Sequence, residues 1–311
     1  MATILDAVVP LFAVILLGFA AGRTGWIDAR GVKALVTFVF YVAMPPLLFR
    51  LVAKSELAEL VQGGFMVCYV GAQIGVALLG VWLGRTLFRL GPAALVIQGF
   101  GSAFPNSVLL GLPLLLSLYG ERGALPATLI FSMNVFVYSF VTLLLQLTQP
   151  GRWAGALEGL VWPTLRAIIG NPIIMAACGG LAFGALGLTL PTVVDHTFGF
   201  IGSAGPPTAL FALGASLGVG QVAGRWGQAG AMVACKLVVH PLLAWLLAVP
   251  ILGLTPFYAQ TAIIMAALPV GANVFIFAQQ YDVSVEQTSS AIFVSTGIAM
   301  VTIPAVLWLI V

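Results

Sequence analysis

Read as hydrophobic and polar positions, the chain is a succession of apolar runs about 20 residues long, divided by short polar connections. A run of that length, wound as a helix, crosses a hydrocarbon core of about 30 Å. Barrel strands would need alternating polarity, and none is present. The pattern predicts ten helical spans, at 4–22, 34–53, 61–84, 93–118, 125–147, 167–188, 197–220, 228–253, 257–279 and 288–310. The first run has no positively charged leader and is predicted as a span rather than a cleaved signal. One connection is longer. At 148–165, Arg152, Trp153, Glu158 and Trp162 predict an interfacial connector that lies on the membrane between two halves.

Composition narrows the class. Of the 311 residues 61% are hydrophobic and 7% charged, too much apolar surface for a soluble chain to hide, so the expected partner is the lipid bilayer. No basic cluster interleaved with aromatics suggests nucleic acid. Cys68, Cys178 and Cys235 are scattered in apolar runs without CxxC spacing, which fits small buried hydrophobes and no metal. Orientation follows from Lys and Arg. Arg23, Arg30, Lys33, Arg85, Arg89, Arg152, Arg166 and Arg225 fall on one side, and Arg50, Lys54 and Arg122 on the other. The richer side is cytoplasmic. With ten spans in a cytoplasmic (inner) membrane, both termini are then expected on the outer, periplasmic side.

The prolines repeat. Pro45-Pro46 in span 2, within MPPLLF from Met44, and Pro206-Pro207 in span 7 are 161 residues apart. Pro105 in span 4 and Pro269 in span 9 are 164 apart. Two landmarks with nearly one offset predict two halves of five spans. Five is odd, so the second half enters the membrane inverted. The predicted fold is therefore an all-α integral membrane protein, ten transmembrane helices in two inverted five-helix repeats, with crossing proline-broken helices 4 and 9. This is the sequence signature of many secondary transporters. Proline inside a helix removes a backbone hydrogen bond. In lipid that is tolerated where the freed groups face protein or a water-filled cavity. Half-helix N-termini carry partial positive charge and free N–H groups, which suit an anion. Asn106, Ser107 and Asn273 would add neutral polar contacts. The plainer alternative is a proline kink with asparagine as interhelical glue.

At these residues the sequence resembles the auxin efflux carrier family. FPNSVLLGLPLL (104–115) is similar to its fourth-helix stretch, ALPVGANVFIFAQQYDV (267–283) to its ninth, and ALFALGASLG (209–218) to its seventh; Asn171-Pro172 near the start of span 6 also matches. The resemblance covers essentially the whole chain, without the long central loop of the plant members. It implies a scaffold of helices 1, 2, 6 and 7 (residues 1–60 and 166–225) and a transport unit of helices 3–5 and 8–10 (61–147 and 226–311). It also implies a small organic carboxylate at the crossover, with Pro105, Asn106, Pro269 and Gly271 carried over by position. Met44 and Asn171 join the candidate substrate-binding set. Ile173, Gln279 and Val270 stand where plant carriers tend to have asparagine, lysine and glutamine, which argues against auxin itself; the expected substrate is malonate, malate, lactate or an auxin-like acid.

Other polar residues inside the spans are Lys236 with His240 one turn on, Gln73 opposite Lys236 in the repeat, and Asn134 with Tyr138. Lys236, Gln73, His240 and Asn134 are candidates for ion coupling or support of the site. A snorkelling lysine and helix-to-helix hydrogen bonding are the alternatives. No cofactor is expected; the coupling ion, H+ or Na+, and a homodimer are left open. An intramembrane enzyme is disfavoured, since the acids lie in loops and His196 and His240 have no HExxH-like spacing. No P-loop lysine provides an ATP motor. The expected function is a carrier working by alternating access, with a channel-like anion pathway as the alternative.

Overall fold

The structure, a computed structural model, describes residues 2–54, 62–149, 169–220 and 226–310. Among these no β-strand forms; the chain is helical, as its apolar runs predict. In chain order the helices are α1 (Ala2–Arg23), α2 (Ala29–Phe38), α3 (Met44–Ala53), α4 (Gly63–Thr86), α5 (Pro92–Ala103), α6 (Leu112–Tyr119), α7 (Ala124–Leu147) and α8 (Pro172–Ala185). They continue as α9 (Thr192–Ser203), α10 (Gly205–Val219), α11 (Trp226–Ala234), α12 (His240–Leu246), α13 (Pro256–Ala267), α14 (Ala272–Gln280) and α15 (Val285–Ile310). Among the described residues six stretches are long and apolar enough to cross a membrane: Ala29–Ala53, Gly63–Thr86, Ser107–Leu147, Thr192–Val219, Trp226–Ile251 and Val285–Ile310. Of the connector predicted at 148–165, Thr148 and Gln149 are described; the rest lies outside the described residues.

Local chemistry explains the boundaries. Asp28 caps α2 by accepting a 2.8 Å hydrogen bond from the Gly31 N–H, so this helix begins five residues before the apolar run. Pro92, Pro172 and Pro256 open α5, α8 and α13, where a missing N–H costs nothing. Pro10 of α1 and Pro304 of α15 lie within regular helix, but other interior prolines are met by wide turns. π-helical turns at Val39–Ala43, Ser107–Gly111 and Cys235–Val239 run directly ahead of Pro45-Pro46, Pro113 and Pro241, and a fourth, Leu247–Ile251, contains Pro250. Widening the turn lets the chain pass a residue that cannot donate. In the span predicted at 197–220, Pro206-Pro207 instead mark a division at Ala204 into α9 and α10.

The chain divides into two compact units. The first comprises Met1–Gln62, Val108–Ser132 and Leu165–Gly220. Within it α1 lies along α10 at backbone contact, because Gly18 faces the Phe211 carbonyl and Gly214 the Ile15 carbonyl; a Cβ at either would overlap those atoms. α8 packs on α3. Polar ends are tied by charge. Arg50 bonds Asp195 at 2.7 Å and Glu121 at 2.6 Å, and Lys54 bonds Asp195 at 2.7 Å.

The second unit comprises Gly63–Ser107, Met133–Thr164 and Gln221–Val311. Its core is made by small residues that bring helices close: Val76, Ala103 and Cys235 join α4, α5 and the turn after α11, and Ala72, Ala244, Ile263 and Ala266 join α4, α12 and α13. Both interrupted segments, 103–107 and 267–272, lie in this unit and meet there.

Candidate functional site

Proline disfavours the helical region for the residue before it, although Met44 and His240 keep helical angles ahead of Pro45 and Pro241. Phe104 is accordingly extended (φ −84°, ψ 118°), and so is Leu268 (φ −62°, ψ 152°). α5 ends at Ala103, α13 at Ala267, and α14 restarts at Ala272 behind an extended Gly271. Two extended stretches side by side can satisfy each other. Pro105 and Val270 form an isolated antiparallel bridge in which the Asn106 N–H donates to the Pro269 carbonyl and the Gly271 N–H to the Phe104 carbonyl, both at 2.9 Å. Neither proline is asked to donate. Glycine is required at 271, since a Cβ there would stand 2.7 Å from the Pro105 oxygen and from a Phe104 ring carbon.

The pairing changes one expectation. The breaks were expected to leave free N–H groups for an anion, yet those of Asn106, Ser107, Val270 and Gly271 are all engaged. Besides the two bridge bonds, Ser107 N–H donates to the Pro105 carbonyl at 2.9 Å and Val270 N–H to the Ser295 hydroxyl at 3.0 Å. Side chains beside the paired breaks add polar capacity of their own. Asn106 is buried, and its amide nitrogen has no hydrogen-bond partner among the described residues. Asn134 donates to the Ser107 hydroxyl at 3.0 Å, and its own amide oxygen is unpartnered. Asn273 donates to the Tyr138 hydroxyl. Tyr138 in turn belongs to an aromatic group with Phe100, Phe104 and Phe277, ring centroids 4.8–6.3 Å apart, which walls this side of the break. The side chains named at the crossover are all formally neutral.

The break also explains the buried lysine. In an unbroken helix the Ala266 carbonyl would accept from the N–H four residues on, that of Val270; Val270 is turned to Ser295 instead. Lys236 Nζ donates to that freed carbonyl and lies 3.0 Å from His240 Nδ1. Lys236 and His240 are both wholly buried. Lysine thus sits where a helix C-terminus concentrates negative partial charge. Gln73, expected opposite Lys236, donates to the Tyr69 hydroxyl at 3.3 Å.

Two predicted residues belong to the first unit and have structural work there. Asn171 caps α8, its side-chain oxygen accepting from the N–H groups of Ile173 (3.0 Å) and Ile174 (3.3 Å). Met44 opens α3, fully buried, with its methyl group against Gly205. Sequence reasoning did not single out Ser295, Phe104 or Phe277. Ser295 lies in a run of small residues with no local signal, and the two phenylalanines read as ordinary apolar positions.

The comparisons with known proteins agree over the same length. The family described as "Membrane transport protein" matches residues 3–157 and 160–307. The "Putative malonate transporter" of Rhizobium meliloti (strain 1021) is 31% identical over 312 residues, covering 100% of this chain and 97% of that protein. "Auxin efflux carrier component 8" of Arabidopsis thaliana is 23% identical over 364 residues, covering 96% and 95%. "Uncharacterized transporter YfdV" of Escherichia coli (strain K12) is 23% identical over 309 residues, covering 96% and 95%. With its apolar helices, its two paired breaks and a match along nearly its whole length, the chain belongs to the membrane transport protein family that contains the auxin efflux carriers, and is a multi-pass membrane protein.

Proposed function

We propose that this chain is a secondary carrier that moves a small organic carboxylate across the cytoplasmic membrane by alternating access. In this reading it has ten spans in two inverted repeats, with both termini outside. Helices 1, 2, 6 and 7 form a scaffold, and helices 3–5 and 8–10 the moving part. The observation that carries the reading is the paired break, whose buried Asn106 amide donor has no partner among the described residues.

The physical argument is one of compensation. An anion entering the membrane loses hydration worth many kcal/mol. Charge-assisted hydrogen bonds from neutral donors return part of it. Asn106 supplies a free amide N–H, the Tyr138 hydroxyl can turn its hydrogen outward while it accepts from Asn273, and the N-terminal end of α14 adds dipole. Pro105, Pro269 and Gly271 keep the backbone in a shape that holds these groups together. Ser107 and Asn134 fix the near side, and Lys236 with His240 holds the end of α13. A site of neutral donors suits one carboxylate group at a time. The name of the Rhizobium meliloti relative puts malonate first among the acids to try.

Counterflow in proteoliposomes with a panel of mono- and dicarboxylates, with sodium and pH varied, tests this. Saturable, substrate-specific exchange at carrier-like rates is expected. Flux that does not saturate would point to a channel, and no exchange with any carboxylate would overturn the reading.

A further inference from the structure

The second unit contains an apolar cavity of about 550 Å³ that reaches the paired breaks at Phe104. α4, α5 and α7 enclose it, with Ala77, Val81, Val96, Phe100, Phe104 and Val137 among its walls. Gln73 is the one polar residue of the lining, and its amide nitrogen is turned to Tyr69. A second cavity of about 560 Å³ shares Leu95, Val96 and Leu144 with the first and continues it to Pro92, Thr148 and Gln149 at the helix ends. Together they make one slot, apolar at depth and polar at the mouth. Its length along α5, from Pro92 to Phe104, is about 18 Å at 1.5 Å per residue. That is close to half of a hydrocarbon core of about 30 Å, the depth that one leaflet's acyl chains reach.

The surroundings identify the occupant. Ile74, Leu78, Phe136 and Phe140 line the slot and are 55–64% exposed on helices of membrane-spanning length, so the slot is continuous with the lipid-facing surface. Water has almost nothing to bond to inside, and an apolar void with no filling forfeits its dispersion contacts. The mouth differs in kind. Pro92 opens α5, the loop between α4 and α5 carries the exposed Arg89, and the exposed Arg85 follows Val81 of the lining by one turn of α4. An apolar shaft below a basic, hydrogen-bonding mouth is complementary to an amphiphile with a negative head. We propose that this slot is a binding site for an anionic glycerophospholipid. One acyl chain lies between α4, α5 and α7 with its tip at Phe104, and the phosphate sits at Arg85, Arg89, Thr148 and Gln149. A tail seated there packs directly against the residue that precedes the Pro105 break.

Native mass spectrometry of the delipidated, purified full chain, supplied with equal amounts of phosphatidylglycerol, phosphatidylcholine and palmitate, tests the site. Phosphatidylglycerol is expected to be retained over phosphatidylcholine by at least about fivefold, the scale of one cation near a lipid phosphate. Ala77→Trp and Val96→Trp fill the slot and are expected to lower the bound lipid about as much, while Arg85→Gln with Arg89→Gln should bring the two phospholipids to parity. Full retention of phosphatidylglycerol by both tryptophan variants, or retention of palmitate with no phospholipid, would overturn the proposal. Should the tryptophan variants fail to fold, phosphatidylglycerol with a photoreactive acyl terminus decides on the unmodified chain. Labelling at 100–104 or 136–140 supports the site, and labelling confined elsewhere refutes it.

Discussion

Lys236 donates to the carbonyl of Ala266, the oxygen left without its helical partner when the chain breaks at Pro269. A buried basic residue that looks out of place in an apolar run is, in this position, a cap for a helix that ends inside the protein. Lys236→Met should leave that carbonyl orphaned and lower stability by about 1–3 kcal/mol. Thermal unfolding of the purified variant measures it, and an unchanged midpoint would show that the carbonyl finds another donor.

Gly271→Ala should be far worse than its one added methyl group suggests. The new Cβ meets the Pro105 carbonyl oxygen and the Phe104 ring, each at 2.7 Å. Overpacking of this kind costs about 1–3 kcal/mol, and here it pushes the two breaks apart. Proteoliposome exchange should fall by at least about tenfold, the equivalent of 1.4 kcal/mol at the site.

Asn106→Ala separates binding from folding. The amide nitrogen has no partner among the described residues, so its removal should leave the unfolding midpoint unchanged or raised. Substrate exchange, in contrast, should drop by about 10–100-fold if one charge-assisted hydrogen bond is lost. A stability loss with exchange retained would make Asn106 a structural residue only.

The ion cluster of the first unit should answer unequally to its two acids. Among the described residues Glu121 pairs with Arg50 alone, whereas Asp195 pairs with both Arg50 and Lys54. Asp195→Asn should therefore lower the unfolding midpoint more than Glu121→Gln. The effect at Glu121, whose carboxylate is exposed, should shrink more as salt is raised than that at the partly buried Asp195.

Single cysteines introduced at Gly91 and Gly253 give a check of orientation. The distribution of Lys and Arg expects label at Gly91 from the cytoplasmic side and at Gly253 from the outside. Labelling of both from one side would contradict the inverted arrangement.

The helices were legible in the sequence because their cause is local. Long apolar runs, Asn171-Pro172, the Pro-Pro pairs and the prolines at 105 and 269 act on their own few residues, and the breaks at Phe104 and Leu268 stand where they were expected. Proximity of Lys236 to His240 was legible for the same reason, since i and i+4 share a helix face. The partners of the break were not. That Asn106 N–H would find Pro269, that Ser295 would take the Val270 N–H and that Lys236 would reach Ala266 depend on helices distant in sequence. No spacing records such choices. Counting donors did foretell that something had to satisfy the freed groups; it could not name the protein itself as the supplier.

The wide turns carry a consequence for the family's sequences. Each holds one amino acid more than the regular coil around it, so Val39–Ala43 is a place where the chain can lose a residue and leave both flanks in phase. A deletion anywhere else in that helix would swing everything downstream by about 100°, at 3.6 residues per turn. Alignments of relatives should accordingly show their single-position gaps at these four turns and nowhere else within the spans.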